Sequence, residues 1–282
     1  MNINEIASLK IKDIRYWLLG IVAGLQTICL TLVWKADDTG HFGMSLLFLL
    51  AIGSLTWEKR DNLKFESEVL PSIVGIGLIG WVLWESVNLA DGNIMRLLPF
   101  TSALGVALLA SGFKGLKQYW QELIILFFLG VPSIIASLLF DIAPLTAKFS
   151  AFLLHYFGFD VVSQGVFINL PDGGVKVTDE CSGLDTIINT LSISVLALVM
   201  FPVNRAKRFF VPIVAIIIGF VINAIRVVML AIFAASNKAA FDNWHGGQAS
   251  YLYGMIGILV FGCFYWLLLQ QEEKAQSIRS SD

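Results

Sequence analysis

The chain has 282 residues, of which 57% are hydrophobic and 14% charged, about half the charged share of a soluble domain. Net charge is -2 with no cationic block, which excludes nucleic acid as a partner, because neutralising phosphates takes a clustered positive face. Cys29, Cys181 and Cys263 lie far apart with no CxxC spacing, which excludes a disulfide framework and a paired-cysteine redox site.

Apolar blocks recur along the chain, each long enough to cross a hydrocarbon core of about 30 Å as a helix. Read against the charged punctuation, they predict an all-α integral membrane protein, a polytopic bundle of about eight transmembrane helices. The expected spans lie near 17–34, 42–57, 69–89, 95–113, 121–139, 183–203, 209–235 and 251–270. The first has no small-residue cleavage site behind it and ends at Trp34-Lys35-Ala36-Asp37-Asp38, so it reads as a span and not as a removable signal. With no internal repeat or linker, residues 1–282 read as one transmembrane domain.

Lys and Arg set the orientation. Of the nineteen, Lys10, Lys12, Arg15, Lys59, Arg60, Lys64, Lys114, Lys117, Arg205, Lys207, Arg208, Lys274 and Arg279 fall in connections on one side. Lys35, Arg96, Lys148, Lys176 and Lys238 fall on the other, and Arg226 lies inside a span. The positive-inside rule then places both termini in the cytoplasm of a multi-pass inner (plasma) membrane protein, with the lipid bilayer as its first partner. Trp17, Trp34, Trp57, Trp120 and Trp266 sit near span ends, as interface anchors do.

The connection 140–180 is the one substantial extracytoplasmic segment. In its first half Leu145, Phe149, Phe152, Leu153 and Tyr156 recur at helical spacing, which predicts a short amphipathic helix in the interface. In its second half Val161 to Leu170 and Val175 to Val177 flank Pro171-Asp172-Gly173-Gly174, which predicts a small β-hairpin before the sixth span.

Arg226, inside Val221-Ile222-Asn223-Ala224-Ile225-Arg226, is the costliest residue in the chain and needs a partner, a cavity or the interface. Asn223 shares its face. Alone, Arg226 suits a snorkelling side chain or a helix tie as well as it suits a function. Counting at 1.5 Å per residue puts Cys181 about 31 Å from Pro202 and Arg226 about 26 Å from Phe209, so both reach nearly the same outer level. His245 precedes the last span on that side. A cysteine, an arginine and a histidine therefore share one depth at the extracytoplasmic surface.

That set has a chemical reading. A nearby cation favours the thiolate, which is the nucleophile, and Cys181-Ser182-Gly183 opens the sixth span, whose helix N-terminus favours negative charge. His245 suits proton transfer to a leaving amine, and Arg226 suits a substrate carbonyl or carboxylate. Asp185, Asn189 and Ser192 continue a polar stripe from Cys181, facing Arg226 or packing helices. Cys29 and Cys263 read as buried small hydrophobes. His41 and His155 show no ligand spacing, so no metal or other cofactor is expected.

Glu180-Cys181-Ser182-Gly183-Leu184, then Asn223-x-x-Arg226, then His245 before a last span resemble the exosortase/archaeosortase family. The tract Phe241-Asp-Asn-Trp-His245-Gly-Gly-Gln-Ala-Ser250 looks most like its cyanobacterial branch, the cyanoexosortases. The motifs match from about Pro171 to Trp266; before that only the hydropathy agrees. The resemblance implies a membrane-embedded cysteine protease or transpeptidase acting on proteins with a C-terminal sorting signal, namely a motif such as Pro-Glu-Pro, a transmembrane helix and a basic cluster. It implies Cys181 as nucleophile with Arg226 and His245 as its catalytic partners; Asn223, Ser182, Gly183 and Asp185 are the substrate-binding or supporting residues expected around them. Arg205 matches a further basic residue of the family but falls on the cytoplasmic side. Asp185 departs from the basic or amide residue that relatives carry there, which bears on motif preference. The alternative is a transporter of a small anionic solute that uses Arg226, with Gly75, Gly77 and Gly80 marking a flexible helix.

Overall fold

Helices form where the apolar blocks are, and they carry apolar side chains on their outer faces as well as in the core. The computed structural model describes residues 14–88, 92–246 and 248–281, and most of these are helical. Its large exposed side chains are apolar: Leu50, Val69, Ile73, Val87, Phe209 and Leu259 are each more than 60% exposed, a surface that belongs in lipid. Among the described residues six stretches are long and apolar enough to cross a membrane. One of them, Gly92–Leu139, holds two helices; Leu184–Met200 is apolar but shorter. The five tryptophans expected at span ends are all more than half exposed.

The chain divides into two compact units, Met1–Val131 and Pro132–Asp282. The first holds α1 (Ile14–Lys35), α2 (Thr39–Lys59), α3 (Val69–Val87), α4 (Gly92–Gly115) and α5 (Trp120–Leu139), of which the residues past Val131 belong to the second unit. Leu18, Leu25, Cys29 and Val33 are the buried apolar positions of α1, one face of a helix by their spacing. α3 and α4 meet backbone to backbone: a Cβ on Gly75 would stand 2.6 Å from the Gly105 carbonyl oxygen, the close approach that small residues permit between helices in lipid. α3 is a continuous helix; Gly75 lies at this close approach, whereas Gly77 and Gly80 have open space beside them. The left-handed residue of this unit's helices is Gly112 at φ 63°, which bends α4. Inside the unit, Lys59 pairs with buried Glu122 at 2.6 Å, and Gln26 donates to the Pro99 carbonyl and the Ser102 hydroxyl at 3.0 Å each.

The second unit holds α6 (Ala143–Tyr156), β1 (Val162–Gln164), β2 (Phe167–Leu170), β3 (Gly173–Lys176), α7 (Leu184–Met200), α8 (Arg205–Ser236), α9 (Lys238–His245) and α10 (Tyr251–Ser281). α7 lies against α8, where a Cβ on Gly219 would stand 2.8 Å from the Ile187 Cα. Tyr265 of α10 donates to the Phe201 carbonyl at 2.6 Å, an acceptor that the end of α7 leaves open, and its hydroxyl also lies 3.3 Å from the Ala197 carbonyl. Lys207 pairs with Glu272 at 2.8 Å near that same end.

The sequence places an amphipathic helix and a two-stranded hairpin before α7. The structure has α6 and a three-stranded antiparallel sheet of order β1-β2-β3. The run from Val161 to Leu170 is cut by Gly165 at φ 62°, which turns the chain and makes two strands of it. Gly173 belongs to β3, not to the turn. α6 buries Ala143, Thr146, Ala147, Ser150, Ala151 and Leu154, whereas Leu145, Phe152 and Tyr156 are exposed. Apart from Leu154, its inward face is made of small side chains, while Leu145, Phe152 and Tyr156 point out.

Candidate active site

The polypeptide approaches α7 through a 3₁₀ turn, Asp179–Cys181, and enters the helix through Gly183 at φ 93°. Cys181 therefore precedes the helix by one tight turn instead of capping it, and its own N–H donates back to the Thr178 carbonyl at 2.9 Å. Ser182 Oγ donates to the Asp179 carbonyl at 2.7 Å and accepts from Leu184 N–H at 3.4 Å. Thr146 of α6 donates to the Ser182 carbonyl at 2.7 Å. These bonds fix a buried cysteine, 5% exposed, in one position.

α8 supplies the next wall. Asn223, 1% exposed, donates from Nδ2 to the Cys181 carbonyl at 3.0 Å, and Val227 and Leu230 follow it at helical spacing along the cavity beside the thiol. Ser150 of α6 donates to the Ala224 carbonyl at 3.2 Å, which ties α6 to α8 at the same level. A Cβ on Gly183 would overlap the Asn223 amide. Gly183→Ala is therefore expected to cost about 1–2 kcal/mol in backbone strain and to push Asn223 off the Cys181 carbonyl. In detergent its melting point falls below wild type, and Gly183→Ala with Asn223→Ala recovers part of that loss because the overlap is gone.

His245 closes the site as the last residue of α9. Its Nε2 stands 3.2 Å from Cys181 Sγ, within proton-transfer reach of the thiol. Phe241, one turn earlier, stacks on the imidazole at 5.1 Å between centroids and 12° between planes, and Trp244 packs against Phe233 and Tyr253. Arg226 donates to the His245 carbonyl at 3.0 Å. The structure thus brings Cys181, His245, Arg226 and Asn223 to one place through two hydrogen-bonded pairs, one centred on each end of the Cys–His contact. Cavity volume beside them is about 130 Å³. Arg226 Nε and Asn223 Oδ1 are buried with no partner among the described residues.

Other expected residues lie elsewhere. Asp185 and Asn189 are on the exposed face of α7, and Ser192 is buried and donates to the Ile188 carbonyl at 2.7 Å. Arg205 opens α8 and is exposed; it lies 21 residues before Arg226, about 32 Å along the helix axis. Cys29 is buried, but Cys263 is exposed on α10, which corrects its reading as a buried hydrophobe. Among the described residues no group of three His, Cys, Asp or Glu side chains gathers to hold a metal. Sequence reading missed Thr146, Ser150, Phe241 and the β3 wall of the cavity. Phe241 had a signal, its four-residue spacing from His245; the others depend on which faces the fold turns inward.

Residues 34–271 match the family described as transmembrane exosortase. No curated protein and no solved structure matches the chain. The matched range contains all the helices that build the site, and the chain belongs to the transmembrane exosortase family, whose members are membrane protein-sorting transpeptidases.

Proposed function

We propose that this membrane protein is a cysteine protease or transpeptidase that cleaves C-terminal sorting signals through a thioester on Cys181. The observation that carries the reading is the 3.2 Å contact between Cys181 Sγ and His245 Nε2 beside a cavity. Cys181 gives its proton to His245 and attacks the scissile carbonyl carbon. The C–N bond breaks, His245 passes the proton to the leaving amine, and the acyl group stays on sulfur. An acceptor amine or water then attacks the thioester with His245 as base, which frees the thiol. Arg226 holds the His245 carbonyl, and its buried Nε–H is a donor left for substrate, since an unpaired buried donor is expensive until something accepts from it. Asn223, Ser182 and Gly183 hold the nucleophile's backbone. Asp185, one turn beyond on an exposed face, bears on the motif.

The same reading makes 1–282 one catalytic domain, since the family match runs through both units. The stretch Gly92–Leu139 has 48 residues, about 72 Å of helix and twice the hydrocarbon core, so α4 and α5 cross separately. With α7 this gives eight crossings. Both termini face the cytoplasm of the inner membrane, and the site faces outward. The clients are membrane-anchored proteins with a Pro-Glu-Pro-type motif, a helix and a basic cluster, as the cyanobacterial branch of the family suggests.

The test is to trap the intermediate. The full-length protein is co-expressed in membranes with a reporter carrying such a tail, and hydroxylamine is added. A thioester yields a shortened product with a C-terminal hydroxamate, seen by mass spectrometry. Failure to process this tail and tails of the host's own sorting-signal proteins would overturn the reading.

A further inference from the structure

One wall of the cavity beside Cys181 is main chain. Gly174, Val175, Lys176 and Val177 line it together with Cys181 and His245, and at Gly174 only backbone is available to do so. Ladder register shows which groups are unpaired there. Val177 N–H donates to the Val166 carbonyl at 2.9 Å, and hydrogen-bonded pairs alternate along an antiparallel ladder. With Ile168 opposite Val175 and Leu170 opposite Gly173, residues 173, 175 and 177 direct their N–H and C=O toward β2. Gly174 and Lys176 direct theirs the other way. β3 ends the sheet, and no further strand borders it among the described residues.

We infer that β3 is the substrate-binding edge of the site: the segment around the scissile bond adds to the sheet as a fourth strand, bonded to the main chain of Gly174 and Lys176. This rests on the peptidase reading above and names how that site takes its peptide. An unpaired edge recognises any extended chain through its backbone, and side-chain pockets beside it give selectivity. The cavity supplies the pocket. At about 130 Å³ it is close to the roughly 150 Å³ that holds a benzene ring, so it takes one medium apolar side chain, against Val227, Leu230 and Phe241. A Pro-Glu-Pro segment suits such an edge. Its two prolines lack N–H groups at alternate positions, which fall on one side of a strand; the Glu N–H faces β3, and the prolines face away, where they are tolerated.

The experiment uses synthetic tail peptides containing the Pro-Glu-Pro motif, the helix and the basic cluster, with one N-methyl group at a time on the non-proline amides of the motif and its flanks. Binding is measured on full-length Cys181→Ala protein in nanodiscs, and cleavage on wild type. N-methylation weakens binding about tenfold at alternate residues, the size of one lost hydrogen bond, and less than about twofold at those between. Lys176→Pro removes an outward N–H and weakens the unmodified peptide about tenfold, whereas Lys176→Ala, which keeps it, changes affinity less than about twofold. Equal alkylation of Cys181 by iodoacetamide in wild type and Lys176→Pro shows that the site is folded. Uniform tolerance of N-methylation, equal behaviour of the two Lys176 variants, or no binding at all overturns the strand assignment. A peptide cleaved without the alternation removes the strand and leaves the peptidase; one bound with the alternation but never cleaved removes the peptidase and leaves the strand.

Discussion

Cys181→Ala is expected to abolish processing of a sorting-signal reporter, and His245→Ala to lower it by about 10²–10⁴-fold, with membrane levels of both variants equal to wild type. The physical reason is the 3.2 Å contact: without the imidazole the thiol proton has no acceptor at that distance, and the leaving amine has no donor. Because the two side chains act as one unit, their losses do not add. The double variant is expected to process no less than Cys181→Ala alone. Alkylation gives a second readout that needs no substrate, since iodoacetamide labels Cys181 at least about tenfold more slowly in His245→Ala if the imidazole activates the thiol. Residual processing in Cys181→Ala, or His245→Ala at wild-type rate, would sink the assignment. The measurements are gel quantification of the reporter and timed mass spectrometry of the labelled protein.

The shared level of Cys181 and Arg226 could be counted from the sequence, but not how the two are held together. Helix rise alone placed Cys181 and Arg226 at one level, because span ends are marked by charge and 1.5 Å per residue is a firm ruler. The structure adds that His245 lies between them, bonded to both. The missing part was the inward face of α6. Leu145, Phe149, Phe152, Leu153 and Tyr156 read as an apolar stripe for the membrane interface, and the small residues between them carried no signal of their own. Here Leu145, Phe152 and Tyr156 are exposed while Thr146 and Ser150 are buried and bonded to backbone near the thiol. In lipid, large apolar side chains have no reason to turn inward, and close packing selects small ones. Gly183 carries a similar lesson. CSG reads as a helix start, yet the glycine serves a left-handed turn that brings the Cys181 carbonyl to Asn223, a relation between two spans that local sequence does not encode.

Arg226→Ala is expected to lower processing by about 10²-fold, the cost of a misplaced group near the chemistry. α9 has eight residues, too few to be stable alone, and its final carbonyl belongs to His245. Arg226 donates to that carbonyl at 3.0 Å, satisfying an acceptor that a helix end leaves open and placing a cation where the helix dipole favours one. With alanine at 226, the end of α9 loses this anchor and the imidazole drifts from the thiol. Arg226→Lys separates geometry from charge: lysine keeps the cation but not the planar fork that reaches both a carbonyl and a substrate. If the fork matters, Lys recovers less than about a tenth of wild-type kcat; recovery to wild type would show that charge alone suffices. Comparing kcat with KM then assigns the role. A residue that only positions His245 lowers kcat and leaves KM in place, whereas one whose free Nε–H also holds substrate raises KM as well.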